Sequence, residues 1–334
     1  MNGRAAVFIQ IRSPEDGQGR EPPDQCDRSK FVNSITSKQN DDKNLSLLRA
    51  RRRLYWTAKR YQGAVVLVTL LLPIVSLCAA AFAPGAKAYI AAAALLFGVC
   101  EVIFIDRWHK GLMKCAAKLQ EQFDCDVLGM RRNEFLVSAP VDPEEIYELS
   151  AKPLKPADEK QLHDWYPIAV GNVPMHVGRI LCQRENLLYD GNVRKTYSRV
   201  LRAGLLLLVA GLAVYSLAAD LKVDAFLLTV LAPATPILNW TLREFFRQRD
   251  TVETLERLKS ESEKLWKRAV DGLPVGEAAE RSRELQDAIY NHRVASPLVF
   301  DFLYRFRRDG LEAQMNAGAD QLVAAFKTKN PAAV

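Results

Sequence analysis

Two long apolar stretches in the first third of the chain limit what it can fold into. Residues 63–82 carry no charged side chain, and residues 88–105 carry only Glu101. The Ala-Pro-Gly-Ala-Lys segment between them has the composition of a tight turn. Because about 20 apolar residues form a helix long enough to cross a bilayer, these stretches predict a transmembrane hairpin whose two ends lie on the same side of the membrane.

A second apolar pair follows near the middle of the chain. Residues 203–219 and 223–240 are separated by Asp220-Leu221-Lys222, and Asp224 lies just inside the last stretch. Charged segments of helical composition surround both pairs. The predicted fold class is therefore an all-α membrane protein, with four transmembrane helices arranged as two hairpins and mostly helical cytoplasmic central and C-terminal regions.

Composition shifts along the chain predict six segments. They are a disordered N-terminal extension at 1–32, a basic cytoplasmic helix at 33–61, transmembrane hairpin 1 at 62–106, a central cytoplasmic domain at 107–202, transmembrane hairpin 2 at 203–240 and a C-terminal cytoplasmic helical domain at 241–334. Within the central domain, Asp190-Gly191 predicts the end of a helix, and residues 123–130 predict a short strand or an irregular turn.

Basic residues predict the orientation in the membrane. They crowd the outer ends of the four apolar stretches, whereas the two short turns carry only Lys87 and Lys222. The positive-inside rule therefore places both termini and the central region in the cytoplasm. The net charge of +7 is compatible with nucleic acid or with an anionic membrane face. Since the positive charges flank apolar stretches, we expect a lipid bilayer as the partner and no DNA or RNA polymer.

The basic segment before the first span, residues 49–60, has two interpretations. One is a positive-inside anchor, supported by Tyr55, Trp56 and Tyr61 at the level of the headgroups. The other is a surface for an anionic ligand or nucleic acid. The clustering of arginines beside a span favours the anchor.

The sequence contains little that indicates a metal site or a catalytic site. The six cysteines form no C-x-x-C pair and the four histidines are scattered. Asp124 and Asp126 have the spacing of a D-x-D metal pair, but no Glu or His cluster follows them, which favours a solvated loop. The chain contains no P-loop, nucleophile elbow or H-E-x-x-H motif. We therefore expect no enzyme activity, no metal and no cofactor.

Polar residues inside the apolar stretches are candidates for a pore or gate. Glu101 is an intramembrane carboxylate, although it lies about one turn from Asp106 and Arg107 and can also reach the interface or pair with a basic neighbour. The fourth stretch carries prolines, hydroxyls and an amide that make a poor lipid-facing helix. Its candidate residues are Thr229, Pro233, Thr235, Pro236 and Asn239; the alternative is a kink that only packs against the other helices.

Two polar clusters on predicted helices are candidates for ligand binding. Arginine suits bidentate phosphate recognition and tyrosine can stack on a base. The candidate residues are Arg179, Gln183, Arg184 and Asn186 in the first cluster, and Tyr290, Asn291, His292 and Arg293 in the second. In the alternative, these side chains hydrogen-bond one cytoplasmic helix to another, with Asp301 or Asp190 pairing an arginine.

Four stretches in this order around four spans resemble a known family. They are residues 34–40 (SITSKQN) with the arginine-rich helix behind them, 164–167 (DWYP), 179–186 (RILCQREN), and 289–293 (IYNHR) leading to 297–301 (PLVFD). From about residue 33 to 330 the chain is similar to the SMODS-associated four-transmembrane effectors, pore-forming proteins of bacterial anti-phage defence.

The resemblance implies a function. A partner nucleotidyltransferase makes a cyclic di- or oligonucleotide during phage infection, and the effector responds by permeabilising the bacterial inner membrane, which ends in abortive infection. It implies no specific ligand residues. Since four helices enclose little space, conduction requires a homo-oligomer. The alternatives are a constitutive ion channel or transporter without nucleotide input, and a non-conducting membrane scaffold that recruits a soluble partner.

Overall fold

The computed structural model describes residues 32–331, and this part of the chain contains helices and no strand. The all-α prediction is confirmed. The helices are α1 (Ile35–Lys38), α2 (Asp42–Phe82), α3 (Lys87–Cys100), α4 (Asp106–Val127), α5 (Glu134–Val137), α6 (Pro143–Ser150), α7 (Pro156–Lys160), α8 (Met175–Ala218), α9 (Val223–Phe226), α10 (Ala232–Val270), α11 (Val275–Ala295) and α12 (Asp301–Lys329). The predicted N-terminal extension lies outside the described residues, apart from Val32.

Four long helical rods organise the molecule. α2 has 41 residues and α8 has 44, which correspond to about 60 and 65 Å of helix. α3 continues through a π-helical segment, Glu101–Ile105, into α4, and α9 continues through Leu227–Leu231 into α10. α2 packs against α4, and α8 packs against α10. The rods therefore form two antiparallel pairs.

Each rod has an apolar half and a charged half. We call the apolar halves, residues 62–105 and 203–240, the apolar arms, and the rest of the described chain the polar bundle. Large apolar side chains on the arms are solvent-exposed, including Leu71, Leu95, Leu207 and Leu228. An exposed apolar surface of this length needs lipid or protein to cover it. The arms are therefore the membrane-facing part of the chain.

Among the described residues, two helices are long and apolar enough to cross a membrane. They are Ala88–Val127 and Met175–Ala218. The most apolar window of the first has no buried residue, and that of the second is 6% buried, so neither is the core helix of a soluble protein. These helices carry the second and third predicted spans. Several side chains in the other two spans lie outside the described set, and the count of four remains a prediction.

The polar bundle buries one large hydrophobic core. It is built from the charged halves of the rods together with α11 and α12, and its fully buried large side chains include Leu48, Phe123, Tyr166, Ile180 and Leu255. The amphipathic helices close over this core because each carries apolar residues along one face. The core fixes the mutual positions of α4, α8 and α11, on which the polar site described below is built.

Two local predictions were wrong. Residues 123–127 are neither strand nor irregular turn: α4 continues to Val127, since Phe123 and Val127 are buried, and the chain turns at Gly129, where φ is 60°. The helix also does not end at Asp190-Gly191, because α8 runs through this pair. There the Asp190 side chain bonds Arg194 one turn later rather than forming a helix cap.

Candidate functional site

Two buried carboxylates on α4 form the centre of the candidate site. The side chains of Glu121 and Asp124 are both 0% exposed. They are three residues apart and therefore share a face of the helix, and that face points into the polar bundle. The expectation that Asp124 belongs to a solvated loop was wrong, because α4 extends past it and Asp124 is enclosed by α11 and the segment around Tyr166.

α11 supplies the cations that pair with these carboxylates. Arg283 Nη2 lies 2.6 Å from Glu121 Oε1, and Arg293 Nη1 lies 2.6 Å from Asp124 Oδ2. Burial alone would lower the pKa of the Arg293 guanidinium, but the Asp124 carboxylate outweighs this and raises it. The pKa of Arg283 is raised in the same way by Glu121. Both arginines therefore stay charged.

Side-chain amides join the ion pairs to α8. Gln286 Nε2 donates to Glu121 Oε2 at 2.8 Å and to Asp124 Oδ2 at 2.9 Å. Its Oε1 accepts a hydrogen bond from Gln183 Nε2 of α8 at 3.0 Å, and Gln183 also exchanges hydrogen bonds with Ser282. The helices α4, α8 and α11 are thus connected by one buried network.

Tyr166 extends this network toward the N-terminal helix. Its hydroxyl donates to Asp124 Oδ1 at 2.8 Å and accepts from Asn186 Nδ2 at 3.1 Å. Its backbone N–H donates to Gln39 Oε1 at 2.8 Å. Burial and the neighbouring Asp124 carboxylate raise the pKa of Tyr166 well above the usual value. The Asp-Trp-Tyr-Pro stretch noted in the sequence is therefore a structural junction.

A second network lies nearer the apolar arms. Arg194 Nε donates to both carboxylate oxygens of Asp190 at 3.0 Å, and its Nη1 donates to Gln248 Oε1 and to the Pro297 carbonyl. His292 Nε2 lies 3.1 Å from Asp190 Oδ2. Burial alone would raise the pKa of Asp190, but Arg194 and His292 hold it well below its usual range. This network connects α8, α10 and α11.

Four of the eight predicted ligand residues belong to these two networks. Gln183, Asn186, His292 and Arg293 are members. Arg179 is also buried and donates to the Leu128 and Gly129 carbonyls at the end of α4. The structure thus brings the two predicted clusters together, in the arrangement of the alternative interpretation, with Asp190 pairing an arginine.

Three predicted residues stand apart. Arg184 pairs with Glu185 and, across to α10, with Glu263. The Tyr290 hydroxyl is buried without a partner among the described residues, and Asn291 is exposed. Whether any of the eight predicted residues contacts a ligand remains a prediction.

Sequence reasoning missed Glu121, Arg283 and Gln286. A signal for Glu121 was present, since Gln120, Glu121 and Asp124 continue the spacing of the apolar positions Ala117 and Val127 on one amphipathic helix. The partners from α11 left no such signal, because they meet α4 only in the folded chain.

The pore candidates lie on the apolar arms. Glu101 begins a π-helical segment, a feature often found at functional sites, and is partly exposed. Thr235, Pro236 and Asn239 are exposed on α10, and Thr235 Oγ1 donates to the Leu231 carbonyl at 2.8 Å. The side chains of Thr229 and Pro233 lie outside the described set. A polar exposed surface on an apolar arm favours contact with water or another protein surface over lipid.

Comparison with known protein families matches residues 33–322 to the SMODS-associating 4TM effector domain. The chain belongs to this family. The effector is also 26% identical over 292 aligned positions to a probable CBASS effector molecule of Bacillus cereus (strain VD146), and the alignment covers 84% of this chain and 95% of the relative. No solved structure matches. The family predicted from the sequence is confirmed, and with it an all-α membrane protein that acts as an effector of anti-phage defence.

Proposed function

We propose that this effector is activated by a cyclic oligonucleotide in the cytoplasm, oligomerises and permeabilises the inner membrane. The observation that carries the proposal is the continuity of the rods. α4 and α8 hold the buried networks at one end and extend without interruption into the apolar arms at the other. A change in helix packing within the polar bundle is therefore transmitted to the arms by rigid helices and not by flexible linkers.

In this proposal the ligand acts through the packing of α4, α8 and α11. A ligand shifts a conformational equilibrium only by its difference in affinity for the two states. The more accessible predicted residues Arg184, Asn186 and Asn291 are candidates for contact. The buried members of the set couple the helices, because moving one helix breaks several of their hydrogen bonds together.

The membrane arrangement belongs to the same proposal. Four spans cross as two hairpins, both termini lie in the cytoplasm, and a partner nucleotidyltransferase makes the ligand. The Thr235 hydroxyl is satisfied within α10 by the Leu231 carbonyl, but the exposed amide of Asn239 is costly against lipid. We therefore place the second hairpin along the conducting surface of a homo-oligomer, where a neighbouring protomer or water satisfies this amide.

Dye release from vesicles tests the function. Purified effector in liposomes with an encapsulated dye is expected to release it when cyclic di-AMP, cyclic di-GMP, cyclic GMP-AMP or cyclic tri-AMP is added, and not with the matched linear nucleotides. Release without any nucleotide would support a constitutive channel. If none of the probes caused release, the permeabilisation proposal would fail in favour of a non-conducting scaffold.

Glu101 offers a separate test of the pore. If its carboxylate lines the open pathway, it attracts cations, and Glu101→Gln is expected to move the reversal potential of the activated pore toward anions in planar bilayers. Glu134→Gln, on α5 of the polar bundle, is the matched control and should leave the reversal potential unchanged. An unchanged potential in Glu101→Gln would assign the side chain to the membrane interface.

A further inference from the structure

Four arginines on one stretch of α2 form a compact positive cluster in the polar bundle. We call Arg49, Arg51, Arg52 and Arg53 the basic cluster. Arg49 Nε donates to Glu159 Oε1 at 2.7 Å, and Arg52 Nη2 donates to Asp158 Oδ1 at 2.5 Å. Arg53 Nη2 donates to the Lys152 carbonyl at 3.0 Å. Arg52 Nη2 also donates to Gln161 Oε1 at 2.9 Å. All these acceptors come from residues 152–161, a single short segment of the chain.

The segment that supplies the acceptors lies at the edge of the hydrophobic core, where Leu154 and the adjoining α6 pack against it. Neither α6 nor α7 contains a fully buried residue. The two ion pairs that join α7 to α2, made by Asp158 and Glu159 (the acidic pair), have side chains between 27% and 32% exposed. Ion pairs at this exposure are weak and are screened by salt. The acidic pair can therefore be displaced by a competing anion at little cost.

The basic cluster also has unused donors. Arg51 Nε and Arg53 Nε are shielded from solvent and have no acceptor among the described residues. Of the four arginines, Arg49 and Arg52 are paired with carboxylates, whereas Arg51 and Arg53 are not. Arg308, whose own partner is Glu312, lies close enough to act on Arg52. Burial lowers the pKa of Arg52 despite the Asp158 carboxylate, and Arg308 and Arg51 lower it further. The acidic pair therefore leaves an excess of positive charge and unpaired N–H groups.

Aromatic rings lie directly beside these donors. The guanidinium carbon of Arg51 lies 4.8 Å from the centre of the Trp165 ring and 5.0 Å from that of Tyr55. Trp165 is partly exposed. Arginines that bind phosphate oxygens next to rings that stack on bases are the combination by which proteins recognise flexible nucleotides.

The position of the basic cluster excludes a lipid headgroup as the simplest occupant. The first apolar arm begins at residue 62, so Arg53 and Arg49 lie about 14 and 20 Å along the helix from it. The headgroup layer on one side of a bilayer is about 5–8 Å thick. The cluster is thus deeper in the polar bundle than headgroups reach. Arg60 and Trp56, at the level of the arm, remain suited to the anchor role.

We propose that the basic cluster binds the phosphodiester groups of a cyclic oligonucleotide, with Trp165 stacking on a base, and that Asp158 and Glu159 occupy this site in the absence of ligand. The inference rests on the proposed function for the choice of ligand. It places the ligand on α2 in place of the contact candidates Arg184, Asn186 and Asn291. It also gives the ligand an entry point that Arg293 does not offer, because the carboxylate partner of Arg293 is completely buried. Ligand binding would release α7 from α2, one of the four rods.

Nucleotide affinity of the full-length effector in nanodiscs tests the site. The probes are cyclic di-AMP, cyclic di-GMP, cyclic GMP-AMP and cyclic tri-AMP. The double substitution Arg49→Ala with Arg52→Ala is expected to weaken binding of the responsive nucleotide by about tenfold or more. Asp158→Ala with Glu159→Ala removes the competing carboxylates and is expected to tighten binding several-fold and to reduce its salt dependence. Arg281→Ala and Glu284→Ala, an exposed ion pair on α11, are the matched controls.

The results distinguish a failure of the proposed binding site from a failure of the proposed permeabilisation. Arg52→Lys keeps the charge and is expected to retain part of the affinity, which guards against misfolding of the double variant. Altered binding without dye release would support the site and overturn permeabilisation. Dye release with unchanged binding in both double variants, or loss of binding only in Arg184→Ala, would overturn the site.

Two further measurements complete the test. Absence of binding of every probe to the Asp158→Ala, Glu159→Ala protein, whose cluster is uncovered, would overturn the site directly. Nanodiscs of phosphatidylcholine with and without phosphatidylglycerol test whether the bound phosphate belongs to a soluble nucleotide or to a lipid headgroup. Equal nucleotide affinity in both supports the soluble ligand, and competition by phosphatidylglycerol identifies a headgroup as the occupant.

Discussion

Replacement of Arg293 by alanine is expected to lower the free energy of unfolding by about 3–5 kcal/mol. The Asp124 carboxylate is completely buried, and Arg293 is its positively charged partner at 2.6 Å. Without the guanidinium, the carboxylate keeps neutral hydrogen-bond donors from Tyr166, Gln286 and Gln120 but no compensating charge. Urea unfolding of the full chain in detergent, followed by circular dichroism, measures the loss.

The control for this prediction is Arg281→Ala on the same helix. Arg281 forms an exposed ion pair with Glu284, and its removal should leave the unfolding midpoint unchanged within error. An Arg293→Ala protein as stable as the wild type, but without response to cyclic nucleotides, would contradict the structural role and assign Arg293 to ligand contact.

Replacement of Asp190 by asparagine is expected to cost about 2–3 kcal/mol at neutral pH. The change keeps a similar shape but removes the charge that faces Arg194 and His292, whose side chains are 7% and 5% exposed. The Asp190 side chain is itself 28% exposed, so the expected loss is smaller than for Arg293→Ala. Asp250→Asn, at an exposed position on α10, is the matched control.

The same substitution predicts a pH dependence. The pKa of Asp190 is held below its usual range by Arg194 and His292, so the folded protein binds this proton less readily than the unfolded chain. The stabilisation is fully present above the unfolded-state pKa of about 4 and is lost as the pH falls through the lower folded-state pKa. The stability difference between wild type and Asp190→Asn should therefore shrink on acidification below about pH 4. A constant difference would exclude this electrostatic origin.

The sequence was sufficient for the helical fold and the position of the apolar arms, since both depend on local composition. A run of apolar residues predicts a helix of the required length whatever the rest of the chain does. The break predicted at Asp190-Gly191 shows the limit of local signals. There, pairing of Asp190 with Arg194 and with His292, 102 residues away, stabilises continuous helix where the local pair indicates a stop.

The candidate site was predictable only in part. The polar stretches around Gln183 and Arg293 were recognisable as unusual, but their partners were not. Asp124 and Arg293 are 169 residues apart, and no local pattern records that α4 and α11 become neighbours. In addition, the sequence does not distinguish an aspartate that is buried from one that is exposed to solvent. Only the packing around Asp124, which excludes water from every side, separates the two.

The continuity of the rods has a consequence for how such proteins diversify. Many receptors join a soluble sensor to a membrane module by a linker, and recombination at the linker exchanges one sensor for another. Here α2, α8 and the two composite helices pass from the polar bundle into the apolar arms within single helices. Cutting at that border exposes the interior of both parts. Under the proposed function, new ligand specificity would therefore arise by substitution within the bundle, with the lipid-facing halves inherited along with it.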